Sequence, residues 1–174
     1  MSTRTESPGI GSRVQRLDHV AISVDDMAAA HELFVRLLGG TFVNGGDNQE
    51  TGVRLVHVAV GGGMVELMQP LREDSLLARD IGRRGTGLHH LTFVVDDLPC
   101  TIDDLAALDV AVTGAKMQPA HWREAFLPPR TTFGALLQLV DTDLDWHTPT
   151  ADYCFDDVLA GRVQWVDAIA CLRP

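Results

Sequence analysis

The stretch Leu17-Asp18-His19-Val20-Ala21-Ile22-Ser23-Val24-Asp25-Asp26-Met27 returns 71 residues later as Leu88-His89-His90-Leu91-Thr92-Phe93-Val94-Val95-Asp96-Asp97-Leu98. In each copy a histidine is followed six and seven residues on by Asp-Asp, then by an apolar residue. A repeat of this length is a supersecondary unit, too long for one turn of a solenoid. Working outward, residues 18 to 24 alternate as a strand does, with Val20, Ile22 and Val24 on one face and His19, Ala21 and Ser23 on the other. Asp26 suits an N-cap, Leu33, Phe34 and Leu37 recur at helical spacing, and Gly39-Gly40 stops the helix. Strands follow over 53–60 and 64–68 around the Gly61-Gly62-Gly63 turn, with an extra strand near Thr41 to Val43.

The second copy reads the same way. A strand over 90–95 leads to an Asp97-capped helix ending near Leu108, a short strand at Val110 to Thr113, and strands near 124–128 and 135–140. The fold class expected is α+β: two tandem βαβββ modules, 15–72 and 86–141, forming a curved mixed sheet around a metal-binding cavity. A linker helix over 73–85 joins them, residues 1–14 are polar and loose, and 142–174 is a C-terminal extension. In that tail Val158, Val163, Val166 and Ile169 predict one side of a helix after Asp156, among the aromatics Trp146, Tyr153, Phe155 and Trp165. Packing against the body or a second subunit is its expected role.

At 174 residues, with 45% hydrophobic and 22% charged, the chain is long enough to bury a core. No apolar run approaches the roughly 20 residues that cross a bilayer, so the expectation is a soluble, cytoplasmic protein with no membrane partner. Fourteen basic against twenty-four acidic residues give a formal charge of -10, which repels a polyphosphate backbone and argues against nucleic acid. Cys100, Cys154 and Cys171 are odd in number, widely spaced and read as reduced.

The repeat also points to chemistry. Glu66 and Gln138 break apolar strands at matching places, 47 residues after His19 and 48 after His90. By strand parity all four lie off the aliphatic rows. Two imidazoles, a carboxylate and an amide oxygen suit one divalent transition ion (Co, Ni, Zn, Mn or Fe) with positions left open. A lone strand histidine is usually structural, but four polar residues at duplicated spacings favour ligation. His89, on the other parity, is assigned to packing or to hydrogen bonding behind the site. His57 has no ligand-type counterpart in the second copy and is left out, as are His31 in a helix and His147 in the tail.

Leu17-Asp18-His19-Val20-Ala21-Ile22, Gly52-Val53-Arg54, Val65-Glu66-Leu67-Met68-Gln69-Pro70-Leu71, Asp74-Ser75 and Gly85-Thr86-Gly87-Leu88-His89-His90 with Val95-Asp96-Asp97 resemble segments of the glyoxalase and bleomycin-resistance, or vicinal-oxygen-chelate, superfamily, and within it the methylmalonyl-CoA epimerases. The resemblance spans about 15–141. It implies a thioester carbonyl held at the ion while a carboxylate moves the α-proton, a small-molecule substrate such as an acyl-CoA, and a homodimer. Where that family carries a last-strand glutamate this chain has Gln138, and an amide cannot accept a proton. Glu66 is thus the carboxylate expected to carry proton transfer. In His121-Trp122-Arg123-Glu124-Ala125-Phe126-Leu127-Pro128-Pro129-Arg130 the family's glycine-rich stretch is absent, but Arg130 keeps a positive charge for a CoA phosphate. The activity implied is a metal-dependent isomerase or epimerase. The alternatives are a glyoxalase-like lyase or other single-base isomerase, an extradiol-type dioxygenase, which would need the carboxylate in the last strand, and a non-enzymatic small-molecule binder of the resistance type.

Overall fold

The computed structural model describes residues 9–145 and 147–174. Each copy of the repeat folds as βαβββ. The first holds β1 (Val14–Ser23), α1 (Met27–His31), β2 (Thr41–Asn48), β3 (Val53–Val60) and β4 (Gly63–Pro70). After α2 (Leu76–Arg84), the second holds β5 (Gly87–Val95), α3 (Leu98–Ala107), β6 (Thr113–Lys116), β7 (Trp122–Leu127) and β8 (Leu136–Thr142). The tail adds α4 (Phe155–Leu159), β9 (Val163–Val166) and β10 (Ile169–Leu172). Short helices on mixed pairing, both parallel and antiparallel, make the expected α+β class.

The elements group into two compact units that do not coincide with the two copies. One joins Asp18–Leu91 to Leu144–Pro174; the other joins 9–17 to Thr92–Asp143. The first unit carries the order β10-β9-β2-β3-β4-β1. Its β3–β4 hairpin turns through Gly61 and Gly62 at φ 57° and 85°, a left-handed pair that glycine adopts without a Cβ clash and that matches strand twist. The turn sets Val60 opposite Gly63 and therefore His57 opposite Glu66. Parallel pairing of β1 with β4 puts Ala21 opposite Glu66, so His19, two residues before Ala21, shares that face.

The opposite face is aliphatic and covered. Val56, Val58 and Leu67 are fully buried against Met27 and Ala30 of α1 and Phe155 and Val158 of α4, with Ile22 and Val24 packed alongside. Asp26 caps α1, its Oδ1 accepting from Ala29 N at 3.0 Å. The helix continues as a π-helical stretch over Glu32–Leu37. In the second unit, Leu98 and Leu105 of α3 pack on Ala125, Leu127 and Leu139 of the β7–β8 pair.

Three expectations need correction. The tail is not one helix after Asp156: Gly161, at φ 70°, follows α4, and β9 and β10 form an antiparallel hairpin. Asp167 and Ala168 both have positive φ, the two-residue turn that twisted strands prefer, and β9 joins β2 in parallel. The short strand placed at Val110 to Thr113 instead begins at Thr113, after Asp109 at φ 58°. The extra strand near Thr41 to Val43 is a full strand reaching Asn48. Of the residues 1–14 expected to be loose, 1–8 lie outside the described residues, as does Trp146. Ile10–Ser12 forms a 3-10 turn ahead of β1.

Candidate metal centre

His19 from β1, Glu66 from β4 and His90 from β5 are 3%, 7% and 5% exposed, and one ligand atom from each lies within 4.8 Å of the others. Glu66 Oε2 is 3.9 Å from His19 Nε2 and 3.6 Å from His90 Nε2. Both separations exceed a hydrogen bond. Ligands sharing an ion at about 2.0–2.2 Å stand roughly 3 to 3.5 Å apart, so the two histidine–glutamate separations lie within a few tenths of an ångström of that spacing. The donor set, two imidazole nitrogens and a carboxylate oxygen, suits a borderline divalent metal.

The atoms behind these three side chains aim them. His19 Nδ1 lies 3.0 Å from Asp18 Oδ2, and an N–H donated there leaves the Nε2 lone pair facing Glu66. His90 Nδ1 is 2.8 Å from His89 Nδ1, so a neighbour in its own strand holds the second ring. Glu66 Oε1 lies 3.2 Å from His57 Nε2, and His57 Nδ1 is 2.7 Å from the Asn44 side-chain amide. Burial would push the Glu66 carboxyl up, but the hydrogen bond with His57 and the nearby His19, His57 and His90 rings hold it below the ordinary carboxylate range. Burial keeps His57 and His89 below the usual imidazole value despite Glu66 and Asp80 nearby. An ionised carboxylate is the form that metal binding requires.

Of the four expected ligands, His19, Glu66 and His90 are brought together within one unit. Gln138 is buried in the other unit, where its Oε1 accepts from Thr92 Oγ1 and its Nε2 donates to Glu124 Oε2, each at 2.7 Å. Arg130 is exposed in the 3-10 turn Pro129–Thr131. His31 stacks on Phe155 at 3.6 Å between ring centroids, away from this chemistry.

Sequence reasoning missed His57, Asn44, Asp18 and His147. The first carried a usable signal: a two-residue turn at Gly61-Gly62 sets 57 against 66 by counting. His147, whose Nε2 is 3.0 Å from Asp18 Oδ1, carried none, because it reaches Asp18 from 129 residues away.

Residues 18–126 match the Glyoxalase/Bleomycin resistance protein/Dioxygenase superfamily model. The chain is 30% identical over 139 residues to the Bacillus subtilis protein YqjC, of uncharacterised activity, covering 77% of this chain and 97% of that one. It is 31% identical over 130 residues to the Cereibacter sphaeroides ethylmalonyl-CoA/methylmalonyl-CoA epimerase, covering 72% and 97%. In three dimensions it is similar to a Streptomyces coelicolor methylmalonyl-CoA epimerase variant in complex with 2-nitronate-propionyl-CoA, at TM-score 0.67 and 27% identity, over 75% of this chain and 96% of that one. With the repeat, the βαβββ order and these matches in agreement, the chain belongs to the glyoxalase, bleomycin-resistance protein and dioxygenase superfamily.

Proposed function

We propose that this protein is a divalent-metal-dependent isomerase of the methylmalonyl-CoA epimerase type, moving a proton next to the carbonyl of an acyl-CoA or related thioester. The observation that carries the reading is the buried His19, Glu66 and His90 group, with its ligand atoms within 4.8 Å of one another. The epimerase names of several relatives supply the substrate class. His19, Glu66 and His90 would hold the ion, which when bound acts as a Lewis acid on a carbonyl and acidifies the neighbouring C–H.

The chain's own groups then set the limits of the chemistry. Glu66 presents Oε1 to His57 and Oε2 to the two other imidazoles. A carboxylate so engaged, and held below its ordinary pKa, is a good ligand and a weak base, since proton-accepting power falls with pKa. It is also the one carboxylate among the four residues singled out by the repeat. Proton removal from a single face of the substrate, as in a lyase or one-base isomerase, therefore fits this chain better than two-base epimerisation of methylmalonyl-CoA.

Elemental analysis of protein purified without added metal, beside His90→Ala, tests the first half of the reading: about one ion per natural chain and none in the variant is expected. The second half is tested in deuterium oxide by following the α-proton of methylmalonyl-CoA and of other 2-substituted acyl-CoA thioesters by NMR. Exchange that a chelator abolishes is expected for at least one thioester, slow for methylmalonyl-CoA and faster after Gln138→Glu. Metal-free protein that binds small ligands and exchanges no thioester would instead make this a binding protein.

A further inference from the structure

The C-terminal extension lies beyond the superfamily match, yet it reaches the atoms behind the ligand group at two points. His147 Nε2 is 3.0 Å from Asp18 Oδ1, and the other oxygen of the same carboxylate is 3.0 Å from His19 Nδ1. The Trp165 ring on β9 stands edge-on to His57, with centroids 5.8 Å apart and planes at 88°, and His57 in turn faces Glu66. The Asp18 side chain is 1% exposed and that of His147 is 38% exposed, so the chain His147–Asp18–His19 runs from the surface to the centre.

We propose that the extension supplies a positioning residue for the metal centre: His147, acting through Asp18, fixes His19 in the tautomer whose Nε2 lone pair is free for a divalent ion. The inference rests on the metal-dependent reading above. A neutral imidazole offers a lone pair only at the nitrogen without hydrogen, and the partner of the other nitrogen decides which one that is. Asp18 Oδ2 accepts the His19 Nδ1–H. A carboxylate this deeply buried requires donors on its oxygens, and the His147 Nε2–H serves Oδ1, preventing the carboxylate from turning away from His19. The second imidazole ligand is held differently. His90 Nδ1 meets His89, a neighbour in its own strand, so His90 serves as an internal control.

Long-range 1H–15N spectra of the full-length metal-free protein report the tautomer of each ring, and calorimetric titration with Co2+ reports the site. His19 is expected with its proton on Nδ1. His147→Ala removes the imidazole donor to Asp18 Oδ1, His147→Phe removes it while keeping a ring in place if the alanine variant fails to fold, and His147→Gln retains an amide N–H for Asp18. The first two should shift the His19 nitrogens toward a mixed-tautomer position, leave His90 unmoved and weaken Co2+ binding about tenfold, the scale of loss when groups behind metal ligands are removed. The glutamine variant should stay within about threefold of the natural chain by the same reasoning. Tyr153→Phe, which removes a different tail contact, the hydroxyl 3.4 Å from Gly45 N, should leave the Co2+ affinity unchanged.

Unchanged Co2+ affinity and unchanged His19 signals in His147→Ala would overturn the positioning role while leaving the metal reading intact. So would equal weakening in the Tyr153→Phe and His147→Ala proteins in proportion to lost thermal stability. A natural chain that binds no Co2+ would overturn both.

Discussion

Replacing Glu66 with glutamine separates its charge from its shape. The amide retains an oxygen to accept from His57 and nearly the same volume, so the metal-free protein should keep its fold. What disappears is the negative charge. Attraction between a unit charge and a doubly charged ion at about 2.1 Å amounts to about 4 kcal/mol even with the dielectric of water. At 7% exposure Glu66 is screened less than that, so 4 kcal/mol is the lower figure. It corresponds to roughly a thousandfold loss of affinity. In Co2+ at a hundred times the natural dissociation constant, the natural chain should gain about 2.7 kcal/mol of stability and Glu66→Gln less than about 0.1 kcal/mol. Titration calorimetry and thermal melts with and without Co2+ read both quantities. A glutamine variant that binds Co2+ within about tenfold of the natural chain would refute the assignment of Glu66 as a charged ligand.

Other expectations concern the scaffold that holds the site. Leu67→Ala, at a fully buried position between Val56, Val58 and Met27, should cost about 2–5 kcal/mol in urea denaturation; a loss below about 1 kcal/mol would mean that the aliphatic face is not close-packed. Ser75→Ala removes the Oγ that accepts from Ala78 N at 3.0 Å at the start of α2 and should cost about 1 kcal/mol. Asp157 is held down to about 2, from 3.8, by the Cys154 N–H and thiol and by Arg162. The stability this adds is present above the unfolded value and lost as pH falls through the folded one. The gap in thermal midpoint between the natural chain and Asp157→Asn should therefore be flat above about pH 4 and close toward pH 2; a gap that does not change over that interval would show that the charge of Asp157 contributes nothing.

The parts of this molecule legible in its sequence are those written twice or in a local period. Both βαβββ orders followed from the duplicated His-to-Asp-Asp segments, and both helix starts from Asp26 and Asp97, whose side chains accept from Ala29 N and Cys100 N. Strand parity placed His19 and Glu66 opposite the aliphatic row because one face must be covered, and α1 and α4 cover it. The tail escaped because the spacing of Val158, Val163, Val166 and Ile169 suits a helix, whereas the backbone at Gly161, Asp167 and Ala168, all at positive φ, breaks it into a hairpin. His57 escaped for a different reason: it was judged by its counterpart in the second copy, and at the position opposite Gln138 that copy carries Phe126. The two halves have diverged there in how each serves its polar strand residue. Glu66, an acceptor, faces the imidazole of His57, while Gln138, with an N–H to give, meets the Glu124 carboxylate and the Thr92 hydroxyl. Placing a carboxylate at 138 would therefore leave Glu124 facing a second acceptor. For that reason Gln138→Glu, which sets a second carboxylate against Glu124, should be built together with Glu124→Gln when its effect on proton exchange is measured.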